Sequence, residues 1–340
     1  MKKTKKHLVF IAMLLTTLPV LILFSACDTK EKEEEEEYDS TSCQALELDF
    51  DYLDRGSINM ALFTTSDDLW NTLEKMISFG PRHTASEADH NWVNYLEYRM
   101  QEMGIEQITR DEVHVYGHNI MSHPQAPKKG TAHHIFGILP GMTEEIIVLG
   151  VHSDGQNAVE ENGSVMLLEI AEYLSKIPVE CRRHTFALVF PTSHMAASSS
   201  WEAVGWALRH PEIMNRAVAF VAPEHVAFMD DDVDGDDIPF MLMATTKGLR
   251  FIAKEYRDEL DIRMSIWNMG IGTAGTWWMV SGFKPTIGGM TDQIPAYFNG
   301  LFNPKIGLDH INKDVYYDTT YFFAKVISYM DGLSKSELRE

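Results

Sequence analysis

Apolar residues recur at helical spacing in three stretches of the chain, at 69–77, 92–103 and 322–333. A repeat of three or four residues places apolar side chains on one face of an α-helix, so each stretch predicts an amphipathic helix. The first helix is expected to end at Gly80-Pro81, because proline interrupts a helix, and the second at Gly104, since glycine is the usual C-terminal cap.

A different pattern occurs at 146–151, 186–190 and 217–221, which are short continuous apolar runs. Such runs are typical of strands that are buried on both faces of a sheet. The segment 165–174 between the first two runs has a helical pattern. Because strand and helix alternate, we expect an α/β fold, a three-layer αβα sandwich with a mixed, mostly parallel central sheet. We assign residues 58–334 to this domain and residues 335–340 to a C-terminal tail.

Residues 1–26 have the three regions of a secretory signal peptide: four lysines, an apolar run at 8–24, and small residues at the end. The run is short for a membrane-spanning helix. The sequence Phe24-Ser25-Ala26-Cys27 resembles the lipobox of bacterial lipoproteins, in which the cysteine is acylated and becomes the N-terminus. This resemblance implies a lipid-anchored protein of the bacterial cell envelope, on its periplasmic or cell-surface side, and an ordinary signal peptide is the alternative.

An acidic block follows Cys27, with glutamate at every position from 33 to 37. Like charges repel one another and have nothing to bury, so residues 27–57 are expected to form a flexible tether. Only two other cysteines are present, Cys43 and Cys181. An oxidising envelope would allow them to pair, and a free buried thiol is the alternative.

The whole chain has 340 residues, of which 45% are hydrophobic and 23% charged, so it can build a sizeable core. Its 29 lysines and arginines stand against 50 acidic residues, which gives a net charge of −21. Nucleic acids are bound mainly through clustered positive charge, so this composition argues against a nucleic-acid partner. Contact with a membrane is expected only through the N-terminal lipid, and a protein partner is left open.

Polar residues follow the predicted strands, at the points where open α/β sheets bind their ligands. The groups are His152-Ser153-Asp154, Ser193-His194 and Glu224-His225, and a later loop holds Asp309-His310. Since the carboxyl ends of parallel strands share one edge of a sheet, we expect these side chains to lie close together. Imidazoles and carboxylates are the ligands that zinc prefers, and the sequence therefore predicts a metal site at this edge.

The chain from about Leu62 to Leu333 is similar to metallopeptidase family 28, which comprises zinc aminopeptidases and their glutamate carboxypeptidase and glutaminyl cyclase relatives. The motifs that carry the resemblance lie at 77–84, 139–141, 148–154, 167–171 and 291–293, with His310 and Asp314 at the end. The resemblance implies a zinc cofactor and a peptide or small amino-acid-derived substrate. It also implies that His152 is a metal ligand, Asp154 the acid that orients it, and His310 the last ligand.

The chain differs from the family pattern at the positions of the bridging metal ligand and of the general base. The family's bridging aspartate falls on Val159, and a shift of one or two residues would place Glu160 or Glu161 there. Ser193 occupies the general-base position, and a neutral hydroxyl is a poor proton acceptor. The loss of a positioned base typically removes roughly 10²–10⁴-fold in rate.

The candidate metal ligands are nevertheless numerous: His152, Glu160, Glu161, His194, Glu224, His225 and His310. One zinc ion is favoured over two, because the bridging carboxylate is displaced. Two functions stay open, an aminopeptidase-type hydrolase with weak or altered activity and a non-catalytic, peptidase-like binding or scaffold lipoprotein.

Two other motifs favour structural interpretations. Ser193 and His194 lack the Gly-x-Ser-x-Gly turn of serine hydrolases. The acidic residues 230–237 match the start of an EF-hand calcium loop, but position 12 is Met241 instead of a bidentate glutamate. A solvated acidic insertion is therefore expected there.

Overall fold

The computed structural model describes residues 55–116, 127–194, 202–229, 240–269, 272–291 and 305–340. The predicted signal peptide, Cys27, Cys43, most of the predicted tether and the acidic residues 230–237 lie outside the described residues. Within these ranges, no helix has both the length and the hydropathy that a membrane crossing requires.

The described part of the chain contains one sheet of eight strands. These are β1 (Gln107–Tyr116), β2 (Lys129–Leu139), β3 (Ile146–Gly150), β4 (Thr185–Phe190), β5 (Ala217–Pro223), β6 (Phe240–Ala244), β7 (Met264–Trp267) and β8 (Thr286–Thr291). Their spatial order is β1-β2-β4-β3-β5-β8-β6-β7. The apolar runs in the sequence are β3, β4 and β5, and every residue of these three strands is buried.

Both strand directions occur in this sheet. Strand β3 is parallel to its neighbours β4 and β5, β5 is parallel to β8, and β6 is parallel to β7. The hairpin of β1 and β2, the β2–β4 pair and the β6–β8 pair are antiparallel. Parallel neighbours need a crossover connection, which the helices provide. The prediction of a mixed, mostly parallel sheet is confirmed.

Helices cover both faces of the sheet. They are α1 (Ser66–Ser78), α2 (Glu87–Glu102), α3 (Asn162–Lys176), α4 (Glu202–Arg209), α5 (Pro211–Arg216), α6 (Lys247–Glu259), α7 (Gly272–Val280), α8 (Lys313–Asp331) and α9 (Lys335–Leu338). Helices α1, α2, α3, α6 and α8 share a core with Ile147 and Leu149 of β3. Helices α4 and α7 pack with Ile146 and Val148 on the other face. Because the residues of β3 alternate between two helix layers, the fold is the predicted three-layer sandwich.

Side-chain caps fix where the helices begin. The Thr65 hydroxyl accepts the Asp68 backbone N–H in the first turn of α1, and the Ser86 hydroxyl accepts the Asp89 N–H in the first turn of α2. Helix α2 ends before Gly104, whose φ of +75° suits glycine, as predicted. Helix α8 starts well before the apolar stripe at 322–333, because the side chain of Asn312 caps its first turn.

The structure also describes residues just outside both ends of the predicted domain, 58–334. Arg55, which falls in the predicted tether, forms an ion pair with Glu337 at 3.2 Å. Helix α9 lies in the predicted tail, and its Leu338 is buried. Cys181 is buried and disulfide-bonded, so the alternative of a free thiol at this position is wrong.

Candidate metal centre

Three buried side chains meet at the carboxyl ends of β3 and β5. His152 lies just beyond β3, and Glu224 and His225 directly follow β5. These two strands are parallel neighbours, so their ends lie side by side. One ligand atom from each of the three residues lies within 4.8 Å of the other two. We call these residues the donor group.

The imidazole of His152 is oriented by the main chain. Its Nδ1 atom lies 2.9 Å from the carbonyl oxygen of Asp154, and because a carbonyl only accepts, Nδ1 donates the proton. Its Nε2 atom lies 3.4 Å from Oε2 of Glu224. A ring nitrogen that faces a carboxylate at this distance requires a proton or a cation between the two atoms.

The carboxylate of Glu224 is held by the start of α7. The Thr273 backbone N–H donates to Oε1 at 2.8 Å, and the Thr273 hydroxyl donates to Oε2 at 2.6 Å. Burial raises the pKa of Glu224, but the charge of His225 and the hydrogen bonds from His152 and Thr273 outweigh burial and bring the pKa to about 2. Glu224 is therefore ionised at neutral pH.

Gly272 allows this close approach of α7. Its φ is +73°, and a Cβ atom at this position would lie 1.8 Å from Oε1 of Glu224. Any other residue would therefore displace the carboxylate or the start of the helix.

Two hydrogen bonds from α3 hold the loop that carries His225 in place. The side chain of Asn162 donates to the carbonyl of Val226 and accepts from its N–H, both at 2.8 Å. His225 itself has a φ of +50°, a conformation that costs an L-residue about 1–2 kcal/mol and that surrounding contacts must maintain. Burial lowers the pKa of His225 to about 3, so its ring is neutral at pH 7.

His194 and Asp154 lie against the donor group. The His194 ring stacks on that of His152 with 4.1 Å between centroids. The carboxylate of Asp154 accepts the His194 backbone N–H at 3.1 Å and the hydroxyl of Thr84. The Asp154 carbonyl accepts the hydrogen bond from the His152 ring, whereas the family resemblance implies that the Asp154 carboxylate orients this ring.

Ser193 lies three residues after the end of β4 and is fully buried. Its φ of +152° lies in a region that residues with a side chain rarely adopt. The position that the resemblance gives to a general base therefore carries a small, buried hydroxyl on a strained backbone.

The two glutamates before α3 are buried as well. Oε1 of Glu161 is paired with Arg82, whose guanidinium also donates to the carbonyl of Asn157 at 2.6 Å. Glu160 accepts the N–H of Gln156 at 3.1 Å. Burial raises the pKa of Glu160 to about 8, so at pH 7 this carboxyl is mostly protonated. The ion pair thus commits one oxygen of Glu161 to Arg82.

His310 differs from the other candidates in its surroundings. Its Nδ1 atom lies 3.1 Å from a carboxylate oxygen of the exposed Asp309. Among the described residues, the set of donor atoms within 4.8 Å of one another consists of His152, Glu224 and His225, so His310, His194, Glu160 and Glu161 are outside it.

The donor group fits a divalent ion such as zinc. Two imidazoles and one carboxylate are a ligand set of catalytic zinc sites, which keep a fourth position open. Ligand atoms 2.0–2.1 Å from one ion lie at most about 4.2 Å apart, and the His152–Glu224 pair at 3.4 Å meets this limit. Glu224 is ionised and His225 neutral, which are the protonation states that a metal requires.

Sequence reasoning did not identify the residues that support the donor group, Thr273, Gly272 and Asn162. Thr273 lies 49 positions from Glu224, and Asn162 lies 64 positions from Val226. None of the three stands in a motif that carries a chemical signal. Only the packing of α3 and α7 against the strand ends reveals their role.

Comparisons with known proteins identify the fold. No family model and no curated protein matches the chain. A glutaminyl cyclase from Porphyromonas gingivalis is similar in structure, with 17% identity, a TM-score of 0.63, and coverage of 79% of this chain and 98% of that chain. A leucine aminopeptidase precursor from Bacteroides thetaiotaomicron is 14% identical, with a TM-score of 0.61 and coverage of 80% and 99%.

A third structure, a zinc aminopeptidase from Bacillus subtilis, is 10% identical, with a TM-score of 0.61 and coverage of 78% of this chain and 95% of that chain. At sequence identities of 10%, 14% and 17%, the structural similarity shows a shared fold. The chain therefore has the α/β fold of zinc aminopeptidases and bacterial glutaminyl cyclases.

Proposed function

We propose that this protein binds one divalent metal ion, zinc, through His152, Glu224 and His225. The observation that carries the proposal is Nε2 of His152 facing the carboxylate of Glu224 at 3.4 Å in a buried site. A cation between these atoms satisfies both, and the neutral His225 completes three ligands. A bound zinc ion would supply Lewis acidity toward a carbonyl oxygen.

The ligand in this proposal is a peptide or an amino-acid-derived compound. Support comes from the solved structures of the same fold, one of which is a zinc aminopeptidase and another a leucine aminopeptidase precursor. Since Ser193 replaces the general base, we infer that aminopeptidase-type turnover is weak or altered.

Ser193 also favours a second function, the non-catalytic binding of such a ligand. The Ser193 hydroxyl is buried and sits on a strained backbone. It lacks the basicity that water activation needs at neutral pH. In this version of the proposal the protein is a peptidase-like binding lipoprotein.

Elemental analysis of the purified full-length chain tests the metal proposal. We expect one zinc per chain in the wild type and loss of the metal in His152→Ala and Glu224→Gln. His114→Ala, which removes an exposed histidine of β1, serves as the matched control. An additional His310→Ala variant should keep its zinc. A metal-free wild type, or full zinc content in His152→Ala, would refute the three-ligand site.

A panel of aminoacyl-nitroanilides then separates the two functions. Slow, metal-dependent hydrolysis supports the hydrolase. Saturable peptide binding without turnover supports the binding protein. Rapid hydrolysis at rates usual for aminopeptidases would contradict the expected weak activity.

We also infer that acylation of Cys27 anchors the protein to the bacterial cell envelope. This inference rests on the signal-like residues 1–26 and on Phe24-Ser25-Ala26-Cys27. The acidic stretch that follows would then hold the folded domain away from the lipid.

A further inference from the structure

Strand β1 forms one edge of the sheet, and its outer side has no strand neighbour among the described residues. It pairs with β2 along its full length of ten residues, in a register without a bulge. The strand contains neither proline nor glycine. Natural proteins usually interrupt or cover such edges, because unpaired N–H and C=O groups can pair with another strand. The outer edge of β1 can therefore accept a further strand.

The outer half of this hairpin receives little support from the rest of the sheet. Strand β4 pairs with β2 only at Ile135–Leu139, so in the described structure residues 129–134 of β2 have β1 as their only strand neighbour. Residues 111–116 of β1 lie opposite them. A two-stranded ribbon is marginally stable by itself, and a third strand stabilises it. The outer half of β1 thus has the most to gain from a further strand.

The side chains of this half complement one another when two copies of β1 run antiparallel about a two-fold axis at Val113. Opposite residues of an antiparallel pair lie on the same face of the sheet, so such an axis passes through a residue. Each pair then occurs twice, because the interface uses the same surface of both copies. The pairs contain no two charges of one sign: Glu112 with His114, Asp111 with Val115, and Arg110 with Tyr116.

Other positions of the axis are less favourable. An axis at Arg110, Asp111 or Glu112 would place two identical charges directly opposite each other, which destabilises a pair of strands. An axis at His114 would bring two imidazoles together and would pair a shorter part of β1. Val113 is apolar and half-buried, so two copies of it can meet without repulsion.

Contacts within the chain prepare β1 for this arrangement. The carboxylate of Asp111 lies 2.6 Å from Nε2 of His210 and 3.4 Å from Nε of Arg209, so its negative charge is compensated before a second copy approaches. Tyr116 is 63% exposed. An exposed aromatic ring is favourable for a cation–π contact with a guanidinium, which Arg110 of the second copy supplies.

We propose that two copies of this protein form a dimer through antiparallel pairing of β1, with the two-fold axis at Val113. The two eight-stranded sheets then form one continuous sheet. Main-chain hydrogen bonds supply affinity, and the side-chain pairs fix the register. The donor group lies beyond the ends of β3 and β5, so the dimer goes beyond the proposed metal function and does not require the metal.

Sedimentation equilibrium of the full-length chain in density-matched detergent tests this inference. We expect a dimeric mass for the wild type. Val113→Asp and Val113→Lys should each raise the dissociation constant of the dimer at least about hundredfold, because each places two like charges opposite each other at the axis. A monomeric wild type, or a Val113→Asp protein that dimerises as tightly as the wild type, would overturn the proposal.

An equimolar mixture of these two variants separates loss of the interface from misfolding. Aspartate and lysine attract each other across the axis, so the mixture should form a heterodimer. A mixture that stays monomeric would overturn the axis at Val113.

Thr109→Asp is the matched control. It adds the same charge to the same face of β1, but at an exposed position outside the paired stretch 110–116, and it should remain dimeric. Equal dissociation in Thr109→Asp and Val113→Asp would refute the register. Zinc content should be the same in all these variants, which separates this result from the metal proposal.

Discussion

At the scale of single residues, the site depends on how Glu224 is held. Its two carboxylate oxygens receive hydrogen bonds from one residue, Thr273, at the first turn of α7. The positive end of the helix dipole adds to this stabilisation of a negative charge. A carboxylate fixed in this way needs little reorganisation to bind an ion, and residues that orient metal ligands are typically worth 10–100-fold in metal affinity.

Replacing Thr273 by valine removes one of the two hydrogen bonds and leaves the side-chain volume nearly unchanged. We expect Thr273→Val to weaken zinc binding by about 10–100-fold. Competition with a chromophoric chelator measures the dissociation constant. Thr276→Val is the matched control, because Thr276 is half-buried on the same helix and its hydroxyl donates to the Gly272 carbonyl instead of to Glu224. Equal zinc affinity in Thr273→Val and the wild type would contradict this role.

Ser193 provides a second test at this scale. We expect Ser193→Glu alone to leave aminoacyl-nitroanilide turnover well below that of the double variant Ser193→Glu, Val159→Asp. The reason is that the new base adds a proton acceptor, worth roughly 10²–10⁴-fold where it is well placed, but restores no bridging carboxylate. Comparison of kcat/KM in the two variants decides the matter. Equal values would show that the base alone was missing.

At the scale of elements, the opposite edge of the sheet is held by a buried ion cluster. The Asp331 carboxylate at the end of α8 accepts the His184 N–H at 2.7 Å, just before β4. Nε2 of His184 lies 3.4 Å from Glu145, which precedes β3. This cluster ties α8 to two central strands. The donor group lies beyond the other end of one of these strands, β3.

His184 should make stability depend on pH. Burial lowers its pKa, but the interactions with Asp331 and Glu145 outweigh burial, so the pKa is raised above 6.5. A raised pKa gives stability that is fully present below pH 6.5 and is lost as the pH rises through the folded-state pKa. The free energy of unfolding in urea should therefore fall from pH 6 to pH 8 more steeply in the wild type than in His184→Gln. Identical pH dependences would contradict this expectation.

At the scale of the whole molecule, the two edges of the sheet have different roles. The described chain begins at Arg55, which lies against Gly332 just after α8, and the disulfide-bonded Cys181 precedes β4. Both residues are on the amino-terminal side of the central strands. The N-terminal end of the described residues therefore lies at the edge of the sheet opposite the donor group.

The anchor itself is tested by Cys27→Ser. We expect this variant to move from the detergent phase to the aqueous phase in phase separation, because the chain loses its acyl attachment. Ser25→Ala keeps a small residue before Cys27 and should stay with the detergent. A Cys27→Ser protein that still partitions with detergent would refute the lipid anchor.

Periodicity in the sequence was enough to predict the elements that form the core. The apolar runs of β3, β4 and β5 and the stripes of α1 and α2 are local patterns, and burial on two faces or on one face produces them directly. The strand-end position of His152, Glu224 and His225 followed from the same reasoning. The sequence pattern did not identify strands β1, β2, β6, β7 and β8. Strands β1, β2, β6 and β7 lie toward the sides of the sheet. Strand β8 (Thr286–Thr291) contains two consecutive glycines.

Only the tertiary structure decided which polar residues meet. Sequence spacing placed His310 and His194 among the candidate ligands on equal terms with His225. The geometry of the donor group instead depends on the left-handed backbone at His225, on the hydrogen bonds between Asn162 and Val226, and on those from Thr273 to Glu224. These contacts join segments 49 or more residues apart. Local sequence specifies the face that an element buries, whereas the approach of distant side chains depends on how the elements pack.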